Sequence, residues 1–177
     1  LKTLEAKGLV EARAKVGTRV LPQSRWNLFD RQVLAWKLES GPPAAFVAAL
    51  QAVREPLEVQ AAEAAARHRE AEHVRLLHYW LNQRGVMAHQ PEPFALAEFE
   101  IHRVVAEASG NPFLRAAGAV VEFGVAVAVK ARMVDDSAPP NGLAAAQAAQ
   151  YEALVLAVER GDVDAAGRVM QKLVATG

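Results

Sequence analysis

Hydrophobic positions from Arg31 onward repeat with the period of an α-helix, and short breaks rich in glycine, proline and polar residues separate the segments. Apolar side chains three and four residues apart form one face of a helix that packs on a core. The pattern therefore predicts a mainly α protein, built as an all-helical antiparallel bundle. We expect helices over residues 31–38, 44–67, 70–84, 94–109, 113–134, 143–160 and 162–175.

The segment 113–134 is apolar on every side. A helix of this kind lies either at the centre of a bundle or in a subunit interface. The sequence leaves both placements open.

The first thirty residues follow another pattern. Residues 1–7 carry the spacing of a helix end, and Gly8 stands where a left-handed residue would close it. Residues 9–11 and 18–21 are strand-like and flank a basic turn. We expect these elements to be the trailing part of a larger unit, and the irregular stretch 22–30 to be a linker.

Composition narrows the class of protein. The 177 residues include 20 Lys and Arg against 20 Asp and Glu, and no cysteine. This length is typical of one domain, and the absence of cysteine excludes a disulfide scaffold and a thiol nucleophile. No apolar run approaches the roughly 20 residues that a membrane-spanning helix needs, and no signal peptide is evident. We therefore expect a cytoplasmic protein with no membrane partner.

A few polar residues fall on the apolar faces of the predicted helices. Arg54 lies on the core face of the second helix, with Glu58 one turn later as a possible partner. Glu98 and His102 lie on or beside the apolar face of the fourth helix, four residues apart. Tyr151 lies on that of the sixth. A guanidinium stays charged, so an inward arginine needs a carboxylate or an anionic ligand.

These residues favour a polar pocket inside the bundle that binds a small anion. Two other interpretations stay open. Arg54 and Glu58 can form a structural ion pair in a plain dimerisation module, and Glu98 with His102 suits a small metal-assisted enzyme, with Glu98 as base and His102 as acid or ligand. No nucleophile, oxyanion loop or cofactor motif accompanies that pair, so we expect no enzymatic activity.

Two stretches resemble a known family. Leu1–Val10 followed by Gly17–Val20 resembles the end of the recognition helix and the wing of a GntR-type winged helix-turn-helix. Ala97–Leu114, with its Ala-Ser-Gly-Asn, resembles the signature of the FadR-type (FCD) ligand domain. The stretch Trp26–Trp36 resembles the branch that responds to sugar acids such as galactonate. Further similarity lies in Arg54 with Glu58 and in Ala157–Met170.

The resemblance implies three parts. Residues 1–21 would be a partial winged helix-turn-helix, 22–30 a linker, and 31–177 an all-helical domain for effector binding and dimerisation. The whole would be a homodimeric transcription regulator that binds operator DNA and a small organic or sugar acid. It further implies that effector-binding residues are Arg54, Glu98, His102 and Tyr151.

Members of this family often bind the effector through a divalent metal such as zinc or nickel, held by one aspartate and three histidines. Here Glu98 stands for the aspartate and His102 for the first histidine, but Tyr151 and Leu173 stand at the other two positions. Leucine cannot coordinate a metal, and neutral tyrosine is a poor ligand. We therefore predict weak metal binding or none, with the effector held directly by protein side chains.

The resemblance also places DNA contacts on the wing. Arg13, Lys15, Gly17 and Arg19 form a short basic loop suited to phosphate or minor-groove contact. The family commonly has glycine where Lys15 stands. The base-reading start of the recognition helix would precede Leu1, so we expect these residues alone to bind DNA weakly.

Overall fold

The computed structural model describes residues 1–13, 15–134, 145 and 147–176. It divides into two compact units, Leu1–Pro42 and Pro43–Gly177. The division follows Gly41 and Pro42, so the helix that begins at Arg31 groups with the first unit. The predicted boundary between linker and helical domain, after residue 30, stays a prediction.

The first unit is a short helix followed by a hairpin. Helix α1 (Lys2–Ala6) leads into strands β1 (Val10–Arg13) and β2 (Gly17–Val20), which pair antiparallel with Val10 opposite Val20. Gly8 adopts φ +73°, and an added Cβ there would lie 2.1 Å from the Arg25 carbonyl oxygen, so only glycine fits. The predicted helix end and two strands are confirmed, but the strands cover 10–13 and 17–20 and not 9–11 and 18–21, and residue 14 of the predicted turn lies outside the described residues.

A 3₁₀ turn (Gln23–Arg25) and helix α2 (Arg31–Glu39) complete this unit. Asp30 caps α2 by accepting the backbone N–H groups of Gln32 and Val33. Lys7 Nζ lies 2.5 Å from the same carboxylate, and its hydrogen bond is the main cause that lowers the pKa of Asp30.

The second unit is an all-helical bundle, as predicted. Its described helices are α3 (Ala44–His68), α4 (Ala71–Val86), α5 (Pro91–Ala108), α6 (Pro112–Ala116), α7 (Gly118–Val134), α8 (Ala148–Arg160) and α9 (Val163–Ala175). Among the described helices, none combines the length and hydropathy of a bilayer crossing.

Two apolar clusters hold the bundle together. The larger joins α3, α4, α5, α8 and α9, and includes Leu77, Ile101 and Leu154, none of them exposed. The smaller joins α5 and α7 around Phe94 and Val125. Helix α5 contributes to both clusters, because its buried residues occupy more than one face. The polar side chains of the fourth predicted helix therefore lie deep inside the unit.

Three predicted helices differ from the structure by more than two residues at one end or by a break, and the other bounds agree within two residues. Helix α5 begins at Pro91, since proline fits the first turn of a helix. The predicted helix 113–134 is two helices that meet at Ala117, beside Gly118, a poor helix former. Helix α8 begins after Gln147, which is left-handed at φ +57°; residues 143, 144 and 146 of that prediction lie outside the described residues.

The apolar stretch 113–134 is only partly buried. Helix α7 packs against α3 and α5, but Met133 is 49% exposed and Phe113 of α6 is 83% exposed. Apolar composition alone did not distinguish the buried face from the exposed one.

Candidate functional site

A series of polar contacts runs through the core from Arg54 to Tyr151. Arg54 Nε donates to Glu58 Oε1, and Glu58 Oε2 contacts Nδ1 of His102. His102 Nε2 lies 3.1 Å from the Tyr151 hydroxyl. All four side chains are buried, so these contacts replace water.

Side chains from three helices form this series of polar contacts. Arg54 and Glu58 are one turn apart on α3, so their side chains lie on one face. His102 comes from α5 and Tyr151 from α8, and their rings meet edge to face with centroids 5.8 Å apart. The sequence predicted that Arg54, His102 and Tyr151 face the interior, and the structure brings them together.

Glu58 supplies the negative charge in this series of contacts, between Arg54 and His102. Burial acts to raise its pKa, but the charges of His102 and Arg54 and the hydrogen bonds from both outweigh burial and lower the pKa from 4.5 to about 2. The carboxylate therefore stays ionised at neutral pH. It was considered from the sequence only as a partner for Arg54.

Glu98 belongs to a second network, formed with two arginines. Arg84 of α4 donates to Glu98 Oε1 through Nε at 3.0 Å and Nη2 at 2.9 Å. Arg132 of α7 donates through Nη2 to Oε2 at 2.6 Å. Glu98 is 1% exposed, and both of its oxygens are therefore neutralised inside the protein.

Arg84 also joins the two apolar clusters. Its guanidinium carbon lies 4.7 Å from the centre of the Phe94 ring and 4.6 Å from that of the Tyr151 ring. These are cation–π distances. Burial, followed by the charge of Glu98, raises the pKa of Tyr151 well above its usual value, so the phenol stays protonated.

Arg84 and Arg132 are functional candidates that the sequence analysis missed. A helical projection contains the signal: Arg84 lies seven residues after the buried Leu77, and Arg132 lies three after the buried Val129. Both lie near the carboxyl ends of their helices, close to the predicted breaks.

Gln147 extends the second network to the last helix. It accepts from Arg132 Nη1 at 3.0 Å and donates through Nε2 to the Leu173 carbonyl at 3.2 Å and Thr176 Oγ1 at 2.6 Å. Leu173 itself is buried in the larger apolar cluster. The final turn of α9 is thus tied to Arg132 through one side chain.

The absence of a side chain at Gly124 of α7 leaves the space that Arg54 occupies. A Cβ at this position would lie 2.7 Å from Arg54 Cδ and 2.7 Å from Nη1. The guanidinium therefore packs directly on the helix backbone, in space that any larger residue would fill.

The cavity beside His102 is small. It measures about 20 Å³ and is lined by Glu58, His102 and apolar residues that include Leu57, Val105 and Met170. This volume suits one water molecule, whereas ligand pockets measure on the order of 300 Å³ or more. Among the residues that the structure describes, this cavity is too small to admit a sugar acid.

The structure separates Glu98 from His102, although both were predicted to share one site. Each oxygen of Glu98 faces an arginine, and each ring nitrogen of His102 faces Glu58 or Tyr151. The two residues are one helical turn apart, so the networks lie next to each other in the core.

The predicted DNA-contacting residues lie on the hairpin of the first unit. Arg13, Lys15, Gly17 and Arg19 are exposed. Arg13 Nε lies 3.0 Å from Glu11 Oε2, which neutralises part of its charge. Lys15 is left-handed at φ +66°, a conformation that glycine adopts more easily.

The order of elements agrees with the resemblance to winged-helix regulators that carry a helical ligand domain. A helix end and a two-stranded hairpin come first, and the bundle with its charged interior follows. Residues 49–176 match the FCD domain, and the chain belongs to this family within the GntR-type transcription regulators.

Two sequence relatives come from Escherichia coli (strain K12). The galactonate operon transcriptional repressor is 27% identical over 176 residues, which cover 99% of this chain and 75% of that protein. The uncharacterized HTH-type transcriptional regulator YieP is 33% identical over 116 residues, 64% of this chain and 50% of that protein. Both relatives are named as transcription regulators, which agrees with the prediction of a regulator rather than an enzyme.

Two solved structures share the fold. Streptococcus agalactiae GntR superposes with a TM-score of 0.63 at 16% identity, over 99% of this chain and 76% of that one. E. coli McbR/YncC superposes with a TM-score of 0.65 at 12% identity, over 98% and 79%. They confirm the mainly α, FCD-like architecture.

Proposed function

We propose that this chain senses a small organic or sugar acid inside its helical unit and thereby changes how the regulator binds operator DNA. The regulator would act as a homodimer in the cytoplasm. The anion would be held by Arg54, His102 and Tyr151, with the Glu98 network beside them.

Two buried arginine N–H groups without a hydrogen-bond partner are the observation that carries this proposal. Arg54 Nη1 and Arg132 Nε are buried and have no hydrogen-bond partner among the described residues. A buried donor without a partner is unfavourable by about 1–3 kcal/mol, and such groups are rare in folded proteins. An anionic ligand would supply acceptors for donors of this kind.

The charge of the two networks supports the same ligand class. Arg54, Arg84 and Arg132 face two carboxylates, Glu58 and Glu98, so the arginines exceed the carboxylates by one even when His102 is neutral. A monoanion such as a sugar carboxylate would balance this charge. The relationship to the galactonate operon repressor supports a sugar acid as the first candidate.

The small cavity supports a conformational mechanism. A sugar acid does not fit the described cavity beside His102 until side chains in the networks move, so binding there would favour a rearranged bundle. A tenfold change in DNA affinity needs only about 1.4 kcal/mol of differential binding between the two arrangements. Exchanging one buried ion pair for a ligand contact involves free energies of that size.

Operator DNA would be contacted in part by the hairpin. Arg13, Lys15 and Arg19 are exposed cations on one hairpin, which suits phosphate contacts. Such contacts position a protein on DNA but read little sequence, so base recognition would need further residues.

A helical dimerisation module without a ligand is the second candidate. The narrow cavity favours it, and Arg54 already has Glu58 as a structural partner. It leaves the unpaired N–H groups of Arg54 and Arg132 without an explanation.

A thermal-shift screen separates these candidates. The panel contains galactonate, gluconate, other aldonates and short dicarboxylates at millimolar concentration, with the parent sugars as uncharged controls. The proposal predicts that at least one acid raises the melting temperature while its parent sugar does not. Absence of stabilisation by every acid would support the plain module.

Two exchanges on α3 test the site of any hit. Arg54→Gln should weaken the stabilising effect at least tenfold, whereas Arg67→Gln, at an exposed residue of the same helix, should leave it unchanged. Tyr151→Phe is a milder second variant, since it removes one hydroxyl and keeps the ring. A hit that neither Arg54→Gln nor Tyr151→Phe affects would contradict the proposed site.

A further inference from the structure

We infer that the guanidinium groups of Arg84 and Arg132 take the place of a divalent cation at Glu98, and that the buried site works without a metal. The inference deepens the proposed function, since it concerns the same buried site. It assigns a role to two arginines that the resemblance does not implicate.

Both oxygens of Glu98 are already bound by arginines. Arg84 binds Oε1 through two nitrogens, and Arg132 binds Oε2 at 2.6 Å. The two guanidinium groups carry two positive charges that cannot be lost by deprotonation. They supply the charge of a divalent ion, and they do so from fixed positions.

His102 and the two neighbouring positions also fit a metal poorly. Nδ1 of His102 faces Glu58, and Nε2, the nitrogen left to coordinate, faces the Tyr151 hydroxyl at 3.1 Å. Tyr151 stays a neutral phenol, and Leu173 has no donor atom. Within the described residues, no group of three or more His, Asp or Glu is placed to hold a metal.

Repulsion from the two arginines also disfavours a divalent ion at Glu98. A divalent ion placed at Glu98 would lie close to Arg84 and Arg132, and like charges repel strongly where water is excluded. Arg84 is also held between the Phe94 and Tyr151 rings, at 4.7 and 4.6 Å, so it cannot easily move away. The arginines therefore exclude the ion that they replace.

Zinc titration of the unaltered chain is the first test. The protein is dialysed against EDTA, and ZnCl₂ or NiCl₂ alone is titrated in by calorimetry and in thermal-shift assays. We expect no submicromolar site and a melting temperature that changes by less than about 1 °C. Stoichiometric submicromolar binding that His102→Ala abolishes, and that the exposed control His78→Ala retains, would overturn the inference.

The second test separates the arginines from the missing histidines. Tyr151→His with Leu173→His restores the family's histidines, and zinc affinity is compared with and without Arg84→Met and Arg132→Gln. If the arginines stand in for the cation, their removal should tighten zinc binding at least tenfold. Equal affinity in both backgrounds would overturn their assigned role.

Folding of these variants is checked by circular dichroism before titration. Arg132→Gln alone in the two-histidine background is the milder comparison, because Arg84 then still binds Glu98. The titration of the unaltered chain decides the question of metal binding whether or not these variants fold. Neither test uses an effector, so a failed effector screen and a failed metal prediction are distinguishable.

Discussion

Arg132 Nη2 lies 2.6 Å from Oε2 of Glu98, although 34 residues separate them and they come from different helices. Glu98 is buried on α5, and Arg132 reaches it from the last turn of α7. With Arg84 on the other oxygen, the contact connects three helices through one carboxylate.

Arg84→Met should destabilise the protein strongly. The exchange keeps much of the side-chain volume but leaves Glu98 Oε1 buried without its partner, and breaking a buried ion pair costs about 3–5 kcal/mol. Arg103→Met is the control, because Arg103 on α5 is 37% exposed and binds Glu100 and Glu107 at the surface. A surface pair is worth about 1 kcal/mol or less. Urea unfolding midpoints measure both, and equal losses would contradict the prediction.

Gly124→Ala should destabilise, although alanine favours helices. Its Cβ would approach Arg54 Cδ and Nη1 to 2.7 Å, and overpacking of this kind costs about 1–3 kcal/mol. Gly118→Ala on the same helix meets no atom within 4 Å and should stabilise by about 0.4–1 kcal/mol. Thermal melts of the two variants should shift in opposite directions. Stabilisation by both would show that Arg54 moves aside without loss.

Acid should remove the contribution of Glu58. Its pKa is about 2 in the folded protein and near 4.5 when unfolded, so the unfolded state takes up the proton first as the pH falls. The stabilisation is therefore complete above about pH 5 and declines towards pH 2. Glu58→Gln should be less stable than the unaltered protein at pH 7, with a difference that narrows over this window. Urea midpoints at several pH values test this, and Glu92→Gln, at an exposed position of α5, is the control.

The hairpin cations should add mainly electrostatic DNA affinity. Arg19→Ala should weaken binding to unrelated duplexes about equally, and it should lower the salt slope of log K by about 1 for each DNA phosphate that Arg19 neutralises. Arg75→Ala, at an exposed residue of α4 paired with Glu72, should leave both quantities unchanged. Fluorescence anisotropy over a salt series measures both. An unchanged slope for Arg19→Ala would remove that residue from the interface.

Local signals predicted most of the fold, because hydrophobic period and capping residues are properties of short contiguous segments. Asn111 caps α6 by accepting the N–H of Phe113, and Asp162 caps α9 in the same way through Ala165. These caps and the 3.6-residue period require no tertiary information. The hairpin was visible for a similar reason, since its turn and strands are contiguous.

The site was only partly predictable, because burial on one helix does not identify the partner on another. The projection placed Arg54, Glu98, His102 and Tyr151 inside, and all four are buried. It gave Glu98 and His102 a common target, whereas the structure pairs them with residues from four other helices. Arg84 and Arg132 approach Glu98 over separations of 14 and 34 residues, and no local spacing rule covers such contacts.

Gln147 links the Glu98 network to the last turn of α9. Its amide holds Arg132 on one side and both Leu173 O and Thr176 Oγ1 on the other. A ligand that draws Arg132 towards itself would remove the hydrogen bond that orients this amide, and the closing turn of α9 would fray more readily. Small adjustments around one buried carboxylate would thus be felt at the outer edge of the bundle as a change in local order.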